Sequence, residues 1–196
     1  MKGADRGAAV RDHLSELSSL SARVADELIS DISALTDEVL NTIQADRKIM
    51  FCGNGGSAAD AQHLATEYVV RFAKERRALP ALALTTDTSL LTAGANDYGY
   101  EMVFARQIEA LGRSGDLLVL HSTSGESDNL ITAAHSARKG NIRTAALLAK
   151  GGGRLAAEVD LPVIIPTNST ARAQEMHLAI GHIVCALVDN VIAGDA

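Results

Sequence analysis

The sequence predicts a three-layer α/β sandwich, in which a five-stranded parallel, flavodoxin-like sheet lies between two layers of helices. Five short apolar runs alternate along the chain with stretches of helical periodicity. The runs are apolar throughout, which is typical of parallel strands that are buried on both faces. A long helical stretch precedes the first run and predicts an N-terminal helical extension.

The extension is predicted over residues 1–47, where apolar side chains recur at intervals of three and four, with a break between two helices near Ser30–Asp31. Residues 48–196 are expected to form the α/β domain, and the whole chain to form one compact unit. The apolar face of the extension needs a partner, which could be the domain itself or another subunit.

The predicted strands end in polar or glycine-rich loops. The strands are expected over residues 48–52, 81–84, 116–122, 142–149 and 161–166. The helices between and after them are expected over residues 57–73, 88–112 with a loop near 95–98, 127–140 and 170–193. Ligands of such sheets bind outside the carboxyl ends of the strands, so the loops there are the candidate binding site.

Composition excludes several classes of protein. The chain has 196 residues, 47% of them apolar, which is enough for a sizeable core. The net charge of −6 argues against a nucleic-acid partner, and we interpret the basic segment 74–77 as a solvated helix end. We find no signal peptide and no run approaching the roughly 20 apolar residues of a membrane span, so a cytoplasmic location is expected. Cys52 and Cys185 are expected to be buried small hydrophobic residues.

The loop at residues 122–127, Ser-Thr-Ser-Gly-Glu-Ser, has the composition of a phosphate cradle. Its hydroxyls can donate hydrogen bonds, and the helix that follows offers free N–H groups. The alternative is an ordinary serine-rich helix cap. Because a carboxylate repels phosphate, Glu126 must point away from such a site. His121, just before the loop, is more simply a satisfied strand-end histidine than a pocket residue.

Two helices carry groups suited to proton transfer or metal binding. His63 and Glu67 are four residues apart and therefore share a helix face. They could act as acid and base, bind a metal, or form a surface pair. Gln174 and His182 lie about 12 Å apart along the last predicted helix. Both could hold one metal only if their side chains converge or if two subunits contribute.

Four motifs in this order resemble the phosphoheptose isomerases of the sugar-isomerase (SIS) fold family. They read CGNGGSAADAQH…E, ANDYGYE.VFARQ, STSG.S and TAR.QE.H…GH. The match runs from about residue 48 to the end of the chain, and the N-terminal helices fit the leading helices of the family. The third motif alone would indicate only the SIS fold, whereas all four together are specific.

The resemblance implies conversion of sedoheptulose 7-phosphate to D-glycero-D-manno-heptose 7-phosphate through an enediol, the first step toward activated heptoses. It implies Glu67 as the base and His182 as the acid. The residues implied to bind the substrate are Asn54, Gly55, Gly56, Ser57, Glu67, Asn96, Asp97, Ser122, Thr123, Ser124, Ser127 and Gln174.

The resemblance also implies one zinc ion per subunit, with His63, Glu67, Gln174 and His182 as ligands, and no nucleotide. A ligated Glu67 is a poor base, so either zinc polarises the substrate while Glu67 shifts off it, or the metal is structural. Family members are homotetramers with active sites at subunit interfaces, and a sugar phosphate is the expected partner, with no membrane. The chain departs from the family at Glu126, usually Asn, and at His121, usually aliphatic.

Two other functions fit the same fold. Some SIS proteins are non-catalytic and bind the bacterial replication initiator, but they lack the helix glutamate, whereas Glu67, Gln174 and His182 are all present in this chain. An isomerase of a different sugar phosphate is the second alternative. The absence of appended domains argues against most such relatives.

Overall fold

A computed structural model describes residues 3–194 and confirms the parallel α/β sandwich. The strands run in the order β2-β1-β3-β4-β5, and every neighbouring pair is parallel. This is the flavodoxin-like order. The strands are β1 (Ile49–Gly53), β2 (Ala81–Ala83), β3 (Leu117–Ser122), β4 (Arg143–Leu148) and β5 (Leu161–Ile164).

Seven α-helices are described, with short 3₁₀ turns at Tyr100–Met102, Lys150–Gly152 and Arg154–Ala157. The helices are α1 (Gly3–Glu27), α2 (Ile29–Gln44), α3 (Gly56–Val69), α4 (Thr88–Tyr98), α5 (Ala105–Leu111), α6 (Asp128–Lys139) and α7 (Thr170–Ile192). The break between the first two helices falls at Leu28, slightly earlier than predicted.

Helix α4 continues through residues 95–98, so the loop predicted there is wrong. Asp87 caps the helix by accepting a hydrogen bond from the N–H of Leu90 at 2.9 Å. The helix ends only at Gly99, whose φ of 91° few other residues adopt. The turn-forming side chains before it therefore lie in the last turn of a helix.

The two faces of the sheet bury two separate cores. On one face Ile49 and Phe51 of β1 pack beneath α2, α3 and α7. On the other face Met50 and Cys52 pack with side chains of α5 and α6. Cys52 and Cys185 are both buried and free, as predicted. The apolar runs of the sequence thus reflect burial on both sides of each central strand.

Helix α7 corrects one expectation from the sequence. By length and composition it is apolar enough to cross a membrane, although no such run was expected. Half of its apolar stretch is buried within the protein, and ten of its residues, from Ala173 to Ile192, are buried. The core helix of a folded domain has the same composition, so this finding is weak evidence for a span.

A buried ion pair fixes the end of α3. Arg76 donates from Nε to Asp189 Oδ1 at 2.8 Å, and both side chains are at most 2% exposed. Arg76 also donates to the carbonyl groups of Glu67 and Tyr68, in the last turn of α3. Backbone N–H groups of residues 73–74 donate to the other Asp189 oxygen. The interpretation of this basic segment as a solvated helix end is therefore wrong for Arg76.

We expect Asp189→Asn to lower the free energy of unfolding by about 3–5 kcal/mol, because it leaves the Arg76 charge buried without a counter-ion. Urea denaturation at one fixed protein concentration measures this change. Glu75→Gln is the control, since the Glu75 side chain is 90% exposed and its ion pair with Arg71 should contribute little. Equal effects of the two substitutions would show that the buried pair does not anchor α3.

Candidate active site

The carboxyl ends of β1 and β3 form a crevice at the point where the winding of the sheet reverses. The two strands are neighbours, but α3 packs on one face of the sheet and α6 on the other. The loops that leave these strands therefore diverge, which leaves room for a ligand. Asn54 and Asn129 join the two loops through a reciprocal pair of amide hydrogen bonds, both of 2.9 Å. Asn129 belongs to no sequence motif, and sequence reasoning missed it.

The serine loop, residues 122–127, is organised by its own hydroxyls. Ser122 Oγ accepts a hydrogen bond from the N–H of Gly125 at 3.0 Å, and Ser124 Oγ accepts one from the N–H of Glu126 at 3.2 Å. Ser127 precedes α6 and makes no side-chain cap with the described residues. The first turn of α6 therefore keeps N–H groups available for an anion.

Glu126 points away from the loop interior, as a phosphate site requires. Its carboxylate accepts hydrogen bonds from the Arg154 side chain at 2.7 Å and from the Arg154 backbone at 3.0 Å. These bonds hold the pKa of Glu126 below its usual value. Arg154 also pairs with Asp128 at 2.9 Å. The negative charges beside the loop are therefore partly neutralised by a residue that follows β4.

A pocket of about 230 Å³ opens between the two loops. It brings together seven of the predicted substrate-binding residues, together with Thr170, which sequence reasoning missed. The lining residues are Asn54, Ser57, His121, Ser122, Thr123, Ser124, Ser127, Leu130, Thr170 and Gln174. Gln174 reaches it from α7 and lies directly against Gly56 at the start of α3.

Asn96 and Asp97 lie outside this serine-loop pocket. Their side chains bond to each other at 2.8 Å in the last turn of α4. Asp97 lines a different pocket, together with Arg106. The structure of a single chain therefore does not bring these two predicted residues to the serine-loop pocket.

His63, Glu67 and His182 converge from α3 and α7 of one chain. His63 Nε2 lies 2.8 Å from His182 Nε2 and 3.4 Å from Glu67 Oε1. One possible ligand atom of each residue lies within 4.8 Å of the other two. Two imidazoles and a carboxylate are standard zinc donors, so this set fits a zinc ion. Gln174, the fourth predicted ligand, contacts the start of α3 instead.

The His63–Glu67–His182 group lies some way from the serine loop. His63 is seven residues beyond Gly56 on α3, which corresponds to roughly 10 Å along the helix axis. The site thus has a polar, uncharged pocket at one end of α3 and a carboxylate with two imidazoles toward the other. Such an arrangement suits an elongated substrate with an anionic end.

His121 is not the satisfied strand-end histidine that the sequence favoured. It is fully buried, and neither ring nitrogen has a hydrogen-bond partner among the described residues. Burial, and to a smaller extent the proximity of His177, lowers the pKa of His121 to about 3. The ring is therefore neutral at physiological pH.

Comparison with known proteins places this site in a family. The SIS domain model matches residues 12–149. The chain is 51% identical to a phosphoheptose isomerase from a Nitratiruptor species over 86% of this chain and 90% of that protein. It is 52% identical to one from a Roseiflexus species, over 82% of each. The fold also matches the structure of a phosphoheptose isomerase from Neisseria gonorrhoeae, with a TM-score of 0.88, 40% identity and coverage of 94% of this chain and 98% of that one.

The match to the family model shows that the chain is a SIS-domain protein. Within that class, the chain belongs to the phosphoheptose isomerase family. The resemblance carried by the four sequence motifs is thereby confirmed.

At Gly125 the serine loop packs closely against the turn that follows β4. It has a φ of 68°, and a Cβ added there would lie 1.9 Å from the carbonyl oxygen of Gly152. Gly151 has a φ of 79°, but an added Cβ would meet nothing within 4 Å. Both substitutions to Ala strain the backbone by about 1–2 kcal/mol, and only Gly125→Ala also separates the two loops.

We therefore expect Gly125→Ala to lower the free energy of unfolding by at least about 1 kcal/mol more than Gly151→Ala does. Urea denaturation of both variants, at the same protein concentration, measures the difference. Equal losses would mean that the loop tolerates a side chain at this contact.

Proposed function

We propose that this protein is an aldose–ketose isomerase that converts sedoheptulose 7-phosphate to D-glycero-D-manno-heptose 7-phosphate, the first step toward activated heptoses. The observation that carries the proposal is the placement of Glu67 and His182 together on α3 and α7, while a neutral serine loop lies at the start of α3. The named activity of relatives that are about half identical over most of the chain supports the same substrate.

The serine loop is the proposed phosphate site. Ser122, Thr123, Ser124 and Ser127 line the pocket with hydroxyl groups, and the start of α6 adds N–H groups and a positive dipole end. Neutral donors bind a phosphate without the strong charge pairing that would slow its release. Asn54, Gly55, Gly56, Ser57 and Gln174 would contact the sugar chain that leads from the phosphate toward Glu67.

The proposed reaction moves one proton between neighbouring carbons. Glu67 takes the proton from C1 of the ketose, the C1–H electron pair forms the C1=C2 bond, and the carbonyl oxygen on C2 takes a proton from His182. This gives the enediol. The proton on Glu67 then passes to C2, His182 takes the O1–H proton, and C1 becomes the aldehyde carbon, which returns both residues to their starting forms. No oxidant or reductant is consumed.

Zinc is the proposed cofactor, held by the three converging residues His63, Glu67 and His182. The resemblance also implies Gln174 as a fourth ligand, but in a single chain its side chain contacts Gly56 at the start of α3. The donor set fits the ion, since each residue offers an atom within 4.8 Å of the others. Bound there, zinc would act as a Lewis acid toward substrate oxygens. Proton transfer stays assigned to Glu67 and His182, which requires either that they shift off the ion during turnover or that the ion is structural.

We further propose a cytoplasmic homotetramer with active sites at subunit interfaces. Exposed apolar side chains on α1 and α7 support association, among them Val10, Leu14, Ile183 and Leu187. Asn96 and Asp97, which do not reach the serine-loop pocket of their own chain, could then face the pocket of a neighbouring subunit.

NMR of sedoheptulose 7-phosphate with the protein in D₂O tests the reaction. We expect an aldoheptose phosphate that carries deuterium at C2. Glu67→Gln should lower turnover by at least about 100-fold without unfolding, because the base is lost. Chelation followed by zinc add-back shows whether the ion serves turnover or structure.

Glu75→Gln is the matched control for Glu67→Gln, since it removes an exposed carboxylate from the same region and should keep full activity. Near-normal turnover in Glu67→Gln would overturn the base assignment. Absence of both conversion and exchange in the folded, zinc-loaded protein would favour a binding protein over an isomerase.

Ser124→Ala tests the phosphate site. We expect KM for the phosphorylated ketose to rise by roughly tenfold with little change in kcat, because one hydrogen bond common to ground and transition states is lost. Steady-state kinetics measures both constants. Ser19→Ala, which removes a hydroxyl bonded only within α1, is the control. An unchanged KM would remove Ser124 from the phosphate site.

A further inference from the structure

A second group of possible metal ligands lies deeper in the protein, between the sheet and two helices. Asp60 comes from α3, His121 from the end of β3 and His177 from α7. One possible ligand atom of each lies within 4.8 Å of the other two. The two histidine side chains are fully buried, and their rings lie 6.1 Å apart at an angle of 70°.

These three side chains hold every buried side-chain nitrogen or oxygen that lacks a hydrogen-bond partner within residues 3–194. The atoms are Asp60 Oδ2, both ring nitrogens of His121, and His177 Nδ1. Buried polar groups in folded proteins nearly always have partners, so four unpaired atoms on three neighbouring side chains call for a bound species.

The state of His177 indicates what that species is. Its Nε2 lies 3.3 Å from the carbonyl oxygen of Leu148, so Nε2 carries the hydrogen and Nδ1 presents a lone pair. A backbone carbonyl on the outer nitrogen is the usual partner of a metal-bound histidine. Burial lowers the pKa of His177 to about 4, which leaves the ring neutral, the form that ligates metals.

From this geometry we propose that Asp60, His121 and His177 bind a divalent transition-metal ion, with zinc the best match, at a site separate from His63, Glu67 and His182. A cation satisfies an ionised Asp60 and the lone pairs of both imidazoles at once. A water molecule that accepts from the neutral His121 ring and donates to Asp60 and His177 is the alternative occupant, and the zinc count distinguishes it from a metal ion. Two imidazoles and one carboxylate favour zinc over magnesium or calcium, which prefer oxygen ligands only.

The ion would join three elements that are distant in sequence. It would connect α3, β3 and α7 beneath the serine-loop pocket, which His121 also lines. Asp60 is only partly buried, so it offers a path by which the ion can enter. We expect the ion to raise the thermal stability of the domain, since it binds the folded chain and not the unfolded one.

Metal stoichiometry in the full-length chain tests this proposal. The protein is stripped with a chelator, reloaded with Zn²⁺, passed through gel filtration, and its zinc is counted by plasma mass spectrometry. We expect His121→Leu to hold one ion per chain fewer than wild type and to lose part of the zinc-dependent rise in Tm. The double variant His63→Gln/His182→Gln should keep one ion, which the added His121→Leu change removes.

Two further variants keep the test decisive. Asp60→Asn preserves volume in case His121→Leu fails to fold, and it should weaken binding of the deeper ion by at least about tenfold in competition with a chromophoric chelator. His135→Gln, which changes an exposed histidine paired with Glu158, should leave the zinc count unchanged. Equal zinc counts and affinities in wild type, His121→Leu and Asp60→Asn would overturn the proposal, as would a folded His63→Gln/His182→Gln variant that binds none.

Discussion

The packing of α3 against α7 determines where the proposed acid and base lie. The two helices run side by side in the same direction. Residues near the start of α3 contact residues near the start of α7, and later residues contact later ones. Gly56 meets Gln174 at the start, and His63 meets His182 further along. Next to the second pair the helices approach closely at Gly181, where an added Cβ would lie 2.5 Å from Leu64 Cδ2. A side chain at this position would force either Leu64 to move or the two helices to separate.

The start of α3 is fixed by the sheet and its end by a buried ion pair. The helix begins directly after β1, at the crevice where the winding of the sheet reverses. Its last turn is held by Arg76, which pairs with Asp189 of α7. Glu67 lies in that turn, and its carbonyl group is one of the Arg76 acceptors. The position of the proposed base therefore depends on an interaction that also stabilises the fold.

Local patterns in the sequence predicted the elements well. Fully apolar runs identified the strands, and the loops after β1 and β3 were found because parallel strands place them at one edge. The errors arose where the outcome depends on distant partners. The sequence predicted a solvated Arg76, but in the fold its side chain is buried against Asp189, which lies far along the chain. Asn129 and the buried pair of His121 and His177 could not be found from spacing, since the residues that contact them come from other elements.

A row of polar groups between two apolar helices costs free energy unless each group is paired. Along α3 and α7 the pairing differs from one end to the other. Arg76 satisfies Asp189 at the far end, and His63 and His182 lie within hydrogen-bond distance of each other. At the near end, the serine-loop pocket is open to a ligand. Among the described residues, the only buried side-chain nitrogen and oxygen atoms without a partner belong to the middle group, Asp60, His177 and the facing His121. The proposed cation would pair the polar side chains of this middle group. The polar groups along the α3–α7 contact would then both bind ligands and stabilise the folded chain.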